Sequence, residues 1–93
     1  MAGSENPRYS VVVPAYQAGD TLAACLAALK RQTVSPDAYE VIVVDDGSTD
    51  GTAEIADAAG VIVARQSHAG AAAARNCGAA LSRGEFLLFT DAD

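Results

Sequence analysis

The sequence predicts an α/β fold three layers deep: a mostly parallel sheet in strand order 3-2-1-4, with helices on its flanks. Two observations carry that expectation. Short β-branched or apolar runs alternate with longer, often alanine-rich segments along the 93 residues, and the segments between runs suit right-handed helical crossovers of roughly 10–15 residues between parallel strands. A third observation bears on function: turn-forming and acidic residues follow the strand candidates, at the rim where open α/β sheets bind ligands.

Residues 1–8 are expected to form a mobile N-terminal tail, leaving 9–93 as one small domain. Ser10-Val11-Val12-Val13 is the first strand, closed by Pro14, which cannot donate to a ladder. A helix from Thr21 to about Gln32 follows, with Asp20 as N-cap and Leu22, Cys25, Leu26 and Leu29 on one apolar face. Ser35-Pro36-Asp37 ends that unit. Glu40 to Val44 is the second strand, and the turn-rich Asp45-Asp46-Gly47-Ser48-Thr49-Asp50-Gly51 feeds a helix from about Thr52 to Ala59, stopped by Gly60. Val61 to Ala64 is the third strand. After a loop at Gln66 to Gly70, the alanines of Ala71 to Leu81 favour a helix able to approach a sheet closely. Gly84 ends it. The fourth strand, Phe86 to Thr90, reads as buried and stops abruptly at Asp91-Ala92-Asp93.

Composition narrows the function. A chain that is 51% hydrophobic with a net charge of −6 is a folded body without the basic face that nucleic-acid binding requires. To hold a polyanion it needs a metal, backbone amides or a few placed arginines. Cys25 and Cys77 lack CxxC or Cys/His ligand spacing and read as small core residues of a reducing compartment. The opening residues carry no apolar leader, and no run of 18 apolar residues occurs. A cytoplasmic location without a transmembrane segment is the resulting expectation.

In order 3-2-1-4 the first strand marks the topological switch point, and the segments Pro14-Ala15-Tyr16-Gln17, Asp45-Asp46-Gly47-Ser48 and Asp91-Ala92-Asp93 share one rim. Asp45 and Asp91 should flank a single cleft. Carboxylates spaced as in Asp91 and Asp93 suit a hard divalent cation and, through it, the phosphates of a nucleotide.

These runs together, Tyr9 to Tyr16, Val41 to Thr52, Gly70 with Ala74-Arg75-Asn76 and Gly78, and the closing Asp91-Ala92-Asp93, resemble the N-terminal half of family 2 glycosyltransferases. The resemblance implies a GT-A, Rossmann-like fold, a nucleotide-diphosphate sugar as donor, Mg²⁺ or Mn²⁺ as cofactor, and transfer with inversion. It places Pro14, Ala15 and Tyr16 along the nucleotide base, with the Tyr16 ring packing on it. Asp45 falls on the uracil N3–H acceptor, which points to a UDP-sugar, and Arg75 on the arginine near base and phosphates. Asp91 and Asp93 match the ribose and metal positions, Asp93 as the direct ligand. Gln17 departs from the Asn common in the family. The family's general base belongs to a half beyond Asp93, so the chain reads as truncated after the DxD motif and inactive alone. Self-association through an exposed fourth-strand edge is expected to follow.

Other readings compete. Asp45 and Asp46 are also what an ordinary turn and cap would use. Arg75 also suits a solvated helix face, His68 a loop without chemistry, and Tyr16 simple packing. Asp46 to Asp57 approximates a calcium-loop spacing but follows a strand and lacks the final Glu. Asp-x-Asp after a strand is also a phosphohydrolase nucleophile motif, although that motif normally opens its domain. No GxGxxG follows the first strand, which disfavours dinucleotide binding. A non-catalytic binding or interaction module completes the set.

Overall fold

The computed structural model describes residues 6–31 and 35–92. Its elements are β1 (Tyr9–Ala15), α1 (Leu22–Lys30), β2 (Tyr39–Asp45), α2 (Thr52–Ala58), β3 (Ile62–Arg65), α3 (Ala71–Leu81) and β4 (Phe86–Phe89), with a 3₁₀ turn at Pro36–Ala38 before β2. The sheet order is β3-β2-β1-β4 and every pairing is parallel. The expected fold class and strand order are both observed.

Alternation along the strands sorts the core into two layers. Val11, Val13 and Val43 pack with Leu22 and Leu26 of α1 and Ala56 of α2, while Val12, Ile42 and Val44 pack on the other face with Ala74 of α3. Crossover handedness explains the split. The chain steps one way from β1 to β2 to β3, which puts α1 and α2 on one face, and then returns across the sheet to β4, which puts α3 on the other. Gly78 lets α3 lie close: a Cβ there would collide with Val12 Cγ1. Cys25 and Cys77 form no disulfide and pack, half-buried, against opposite layers of the core. Among the described residues no helix is long and apolar enough to cross a membrane.

The far end of the sheet is closed by a buried polar network. Glu40 accepts hydrogen bonds from Ser10 Oγ at 2.6 Å and from the Arg83 amide at 2.7 Å, and Arg83 Nε donates to it at 3.1 Å. Burial pushes the Glu40 carboxyl up, but these donors outweigh it and hold the group below its ordinary value.

Several expectations change. Pro14 lies inside β1 rather than closing it, because pairing with β4 ends at Val12 opposite Phe89 and no neighbour on that side needs its missing N–H. Asp20 is not the cap of α1. Thr21 holds that position without a side-chain bond, since a turn at Ala18, whose carbonyl accepts from Thr21 and Leu22, sets where the helix begins. The fourth strand is not buried: Phe86, Leu87, Leu88 and Phe89 are 39–50% exposed, because β4 is an edge strand that neither helix layer fully covers. Residues 1–5 of the expected tail lie outside the described residues, and Arg8 already bonds Ala38 and Phe86 through its backbone.

Candidate functional site

At the carboxyl ends of β1 and β2 the two following loops are tied together. The Gln17 amide donates to Ser48 Oγ at 2.8 Å and the Thr49 amide to Gln17 Oε1 at 2.7 Å. The Ala18 amide donates to Thr52 Oγ1 at 3.0 Å, and the Gly19 amide to Asp50 Oδ2 at 2.9 Å. Gln17 has φ +51°, a left-handed conformation that costs energy for a residue with a Cβ. Its side-chain bond to Thr49 offsets that strain, a use of the longer amide that the sequence did not disclose.

Asp45 and Asp46 are both buried, and their carboxylates go separate ways. Asp45 Oδ1 accepts from the Ser48 amide at 3.0 Å, shaping the loop after β2. Asp46 reaches the loop after β3, where it accepts from Gln66 Nε2 at 2.8 Å and from the amides of Ala69 and Gly70 at 2.8 and 3.0 Å. His68 Nδ1 lies 3.0 Å from Asp46 Oδ2, the oxygen that also accepts from Gly70. The Gln66 bond, followed by the Ala69 amide, pulls the Asp46 carboxyl down to about 2. Asp46 and Asp50 are thus committed to different loops, and they do not converge as calcium ligands would.

Between these loops and the end of β4 lies a cavity of about 330 Å³, lined among others by Pro14, Tyr16, Gln17, Thr21 and Asp91. Asp91 is exposed there, while its carbonyl accepts from Cys25 Sγ at 3.4 Å and the next residue, Ala92, is buried in the α1 layer. Pro14, Tyr16 and Asp91 therefore meet as the rim reading expects. Ala15 does not join them, because its side chain is packed in the core and only its carbonyl, accepting from the Asp46 amide, serves the rim. Asp45 and Arg75 are not among the cavity's lining residues. Asp93 lies outside the described residues. A larger cavity of about 420 Å³ beside β4, walled by Tyr9, Val11, Leu29, Leu88 and Phe89 among others, is apolar and ill suited to phosphates. His68, absent from the residues expected to act here, stacks on Tyr16.

This arrangement, with a polar cavity at the switch point of a 3-2-1-4 sheet, has close counterparts. The sequence model of glycosyl transferase family 2 matches residues 10–93. The chain belongs to that family. Among family relatives, the uncharacterized glycosyltransferase YibD of Escherichia coli (strain K12) is 40% identical over 98 residues, covering 100% of this chain and 28% of YibD. The crystal structure of S. aureus TarS 1-349 in complex with UDP-GlcNAc matches with a TM-score of 0.89 at 33% identity, over 92% of this chain and 26% of that one. Mannosyltransferase PcManGT from Pyrobaculum calidifontis, in complex with GDP-Man and Mn2+, matches with a TM-score of 0.85 at 30% identity, over 97% and 28% of the two chains. The chain thus spans under a third of the length of each of these family members. Its fold is their GT-A fold.

Proposed function

We propose that this chain supplies the nucleotide-sugar-binding part of a family 2 glycosyltransferase, with a UDP-sugar as donor. The observation that carries the proposal is the cavity at the switch point walled by Pro14, Tyr16 and Asp91. Complexes of the structural neighbours with UDP-GlcNAc and GDP-Man support a nucleotide sugar as the ligand class. In this reading Tyr16 offers its ring to the base. Asp45, with Oδ1 engaged by Ser48, accepts the uracil N3–H, and Arg75, held on α3, approaches the diphosphate.

The residues also fit a divalent cation. Asp91 is a hard oxygen donor exposed at the cavity, and no group of three ligating side chains gathers among the described residues. Few protein ligands, with diphosphate oxygens and water completing the shell, is the pattern Mg²⁺ or Mn²⁺ accepts. Asp91 and Asp93 would hold the ion, which when bound stabilises negative charge on the departing diphosphate. Transfer with inversion needs a general base on the acceptor hydroxyl. No residue of this chain is assigned that role, so the chain by itself is proposed to bind the donor without turning it over.

Calorimetry with UDP, with and without Mn²⁺, tests the proposal. Binding that requires the metal and is lost in Asp91→Ala is expected. Equal binding with and without metal would refute the cation role, and absence of UDP binding would refute the nucleotide site. Sugar transfer to acceptor by this chain alone would overturn the binding-only assignment. The exposed β4 motivates one further proposal, self-association along that edge.

A further inference from the structure

Tyr16 lines the rim cavity and His68 does not, yet the two rings stack with centroids 4.1 Å apart and planes inclined by 26°. His68 thus packs its ring on a cavity-lining side chain without lining the cavity itself. The imidazole is itself held. Its Nδ1 lies 3.0 Å from Asp46 Oδ2 and 3.2 Å from the Asp46 carbonyl oxygen. Both are acceptors, so Nδ1 carries a hydrogen and donates it. Asp46 is fixed in turn by Gln66 and by the Ala69 and Gly70 amides. The His68 backbone also sits tight on the turn: a Cβ on Gly47, at φ +81°, would lie 2.8 Å from the His68 nitrogen.

We propose that His68 is a positioning residue, which holds the plane of Tyr16 for the nucleotide base and so carries the rigidity of the buried Asp46 into the wall of the site. The inference rests on the nucleotide reading of the cavity. Tyr16 is 51% exposed and has no hydrogen bond that fixes its ring among the described residues. Without His68, each binding event would have to order the ring, and affinity would fall by the cost of that ordering.

Two measurements test this. His68 is the single histidine, so its imidazole protons are resolved by NMR. In the free protein they should be displaced upfield by the Tyr16 ring, return toward ordinary values in Tyr16→Leu, and stay displaced when UDP and the diamagnetic Mg²⁺ are added. In calorimetry with UDP and Mn²⁺, His68→Ala should weaken UDP binding about fivefold, the worth of one aromatic pair. His68→Phe, which keeps a ring but loses the Nδ1 donor to Asp46, should recover only part of that loss, and full recovery would show that Asp46 does not hold the ring. Absence of the upfield displacement, or its disappearance on UDP binding, overturns the role. So does equal UDP affinity in wild type and His68→Ala. Failure of the wild type to bind UDP removes the nucleotide reading and this role together, whereas binding by wild type with an unaffected His68→Ala removes this role alone.

Discussion

The strands on either side of β1 differ sharply. In β2 every side chain from Ile42 to Asp45 is buried, and the two carboxylates at its end are already hydrogen bonded, Asp45 within its own loop and Asp46 to the loop after β3. In β4 all four side chains are exposed, and the carboxylate that follows, on Asp91, opens onto the cavity. The difference divides the rim into a finished half and an open half. The β1–β2 side has loops that are already fixed, so under the proposed function little order remains to be acquired there on binding. The β4 side presents negative charge, which a diphosphate can approach only through a cation or through the few cationic side chains nearby.

The largest expected effect tests the packing side of this contrast. Ile42→Ala removes a fully buried side chain from the α3 layer, and the loss should be about 3 kcal/mol in urea unfolding. Leu88→Ala, at a position 50% exposed, should cost less than about 1 kcal/mol. Comparable losses at both positions would mean that β4 is covered in solution and would remove the contrast.

Acid unfolding probes the polar side next. The Asp46 carboxyl, pulled to about 2 by Gln66, the Ala69 amide and its other partners, lies below the ordinary 3.8. Its stabilisation is therefore fully present above pH 3.8 and is lost as pH falls toward 2. Glu40, where hydrogen bonding from Ser10 and Arg83 overcomes burial, works in the same direction. Asp46→Asn should flatten the acid limb of a thermal-stability profile through this window. An unchanged limb in Asp46→Asn would contradict the latch assigned to this carboxylate.

What the sequence discloses follows this same division. The two-residue alternation of Val11 to Val13 and Val41 to Val44, with crossovers of helical length, contains the layer assignment once right-handed connection is assumed. The cavity's Tyr16 and Asp91 were legible for the same reason, as positions just past strand ends, whereas Pro14 was expected there and lies inside β1. The exposure of β4 was not legible. Four apolar residues in a row look the same in a central strand and in an uncovered edge strand, and only the span of the helix layers tells them apart. Nor does an Asp-Asp pair disclose that one carboxylate shapes its own loop while the other crosses to the loop after β3. His68 offered only its place in a rim loop, too weak a signal to separate it from an ordinary loop residue.

The smallest expected effect concerns the sheet's two edges. β3 ends in Arg65, which pairs with Glu54 at 3.6 Å, and charge at an edge discourages a second strand from adding. β4 carries no charged residue between Phe86 and Phe89, and its outer side has no partner strand among the described residues. Association through β4 should therefore appear as concentration-dependent sedimentation, weak because only a short strand can pair. Leu88→Lys places a charge on that edge without touching the rim cavity, and should restore a monomer while leaving UDP affinity as it was. Wild-type protein that stays monomeric at high concentration would sink the association. An Ile62→Lys change at β3 that dissolves the assembly as well as Leu88→Lys does would show that the two edges do not differ in the way their charges imply.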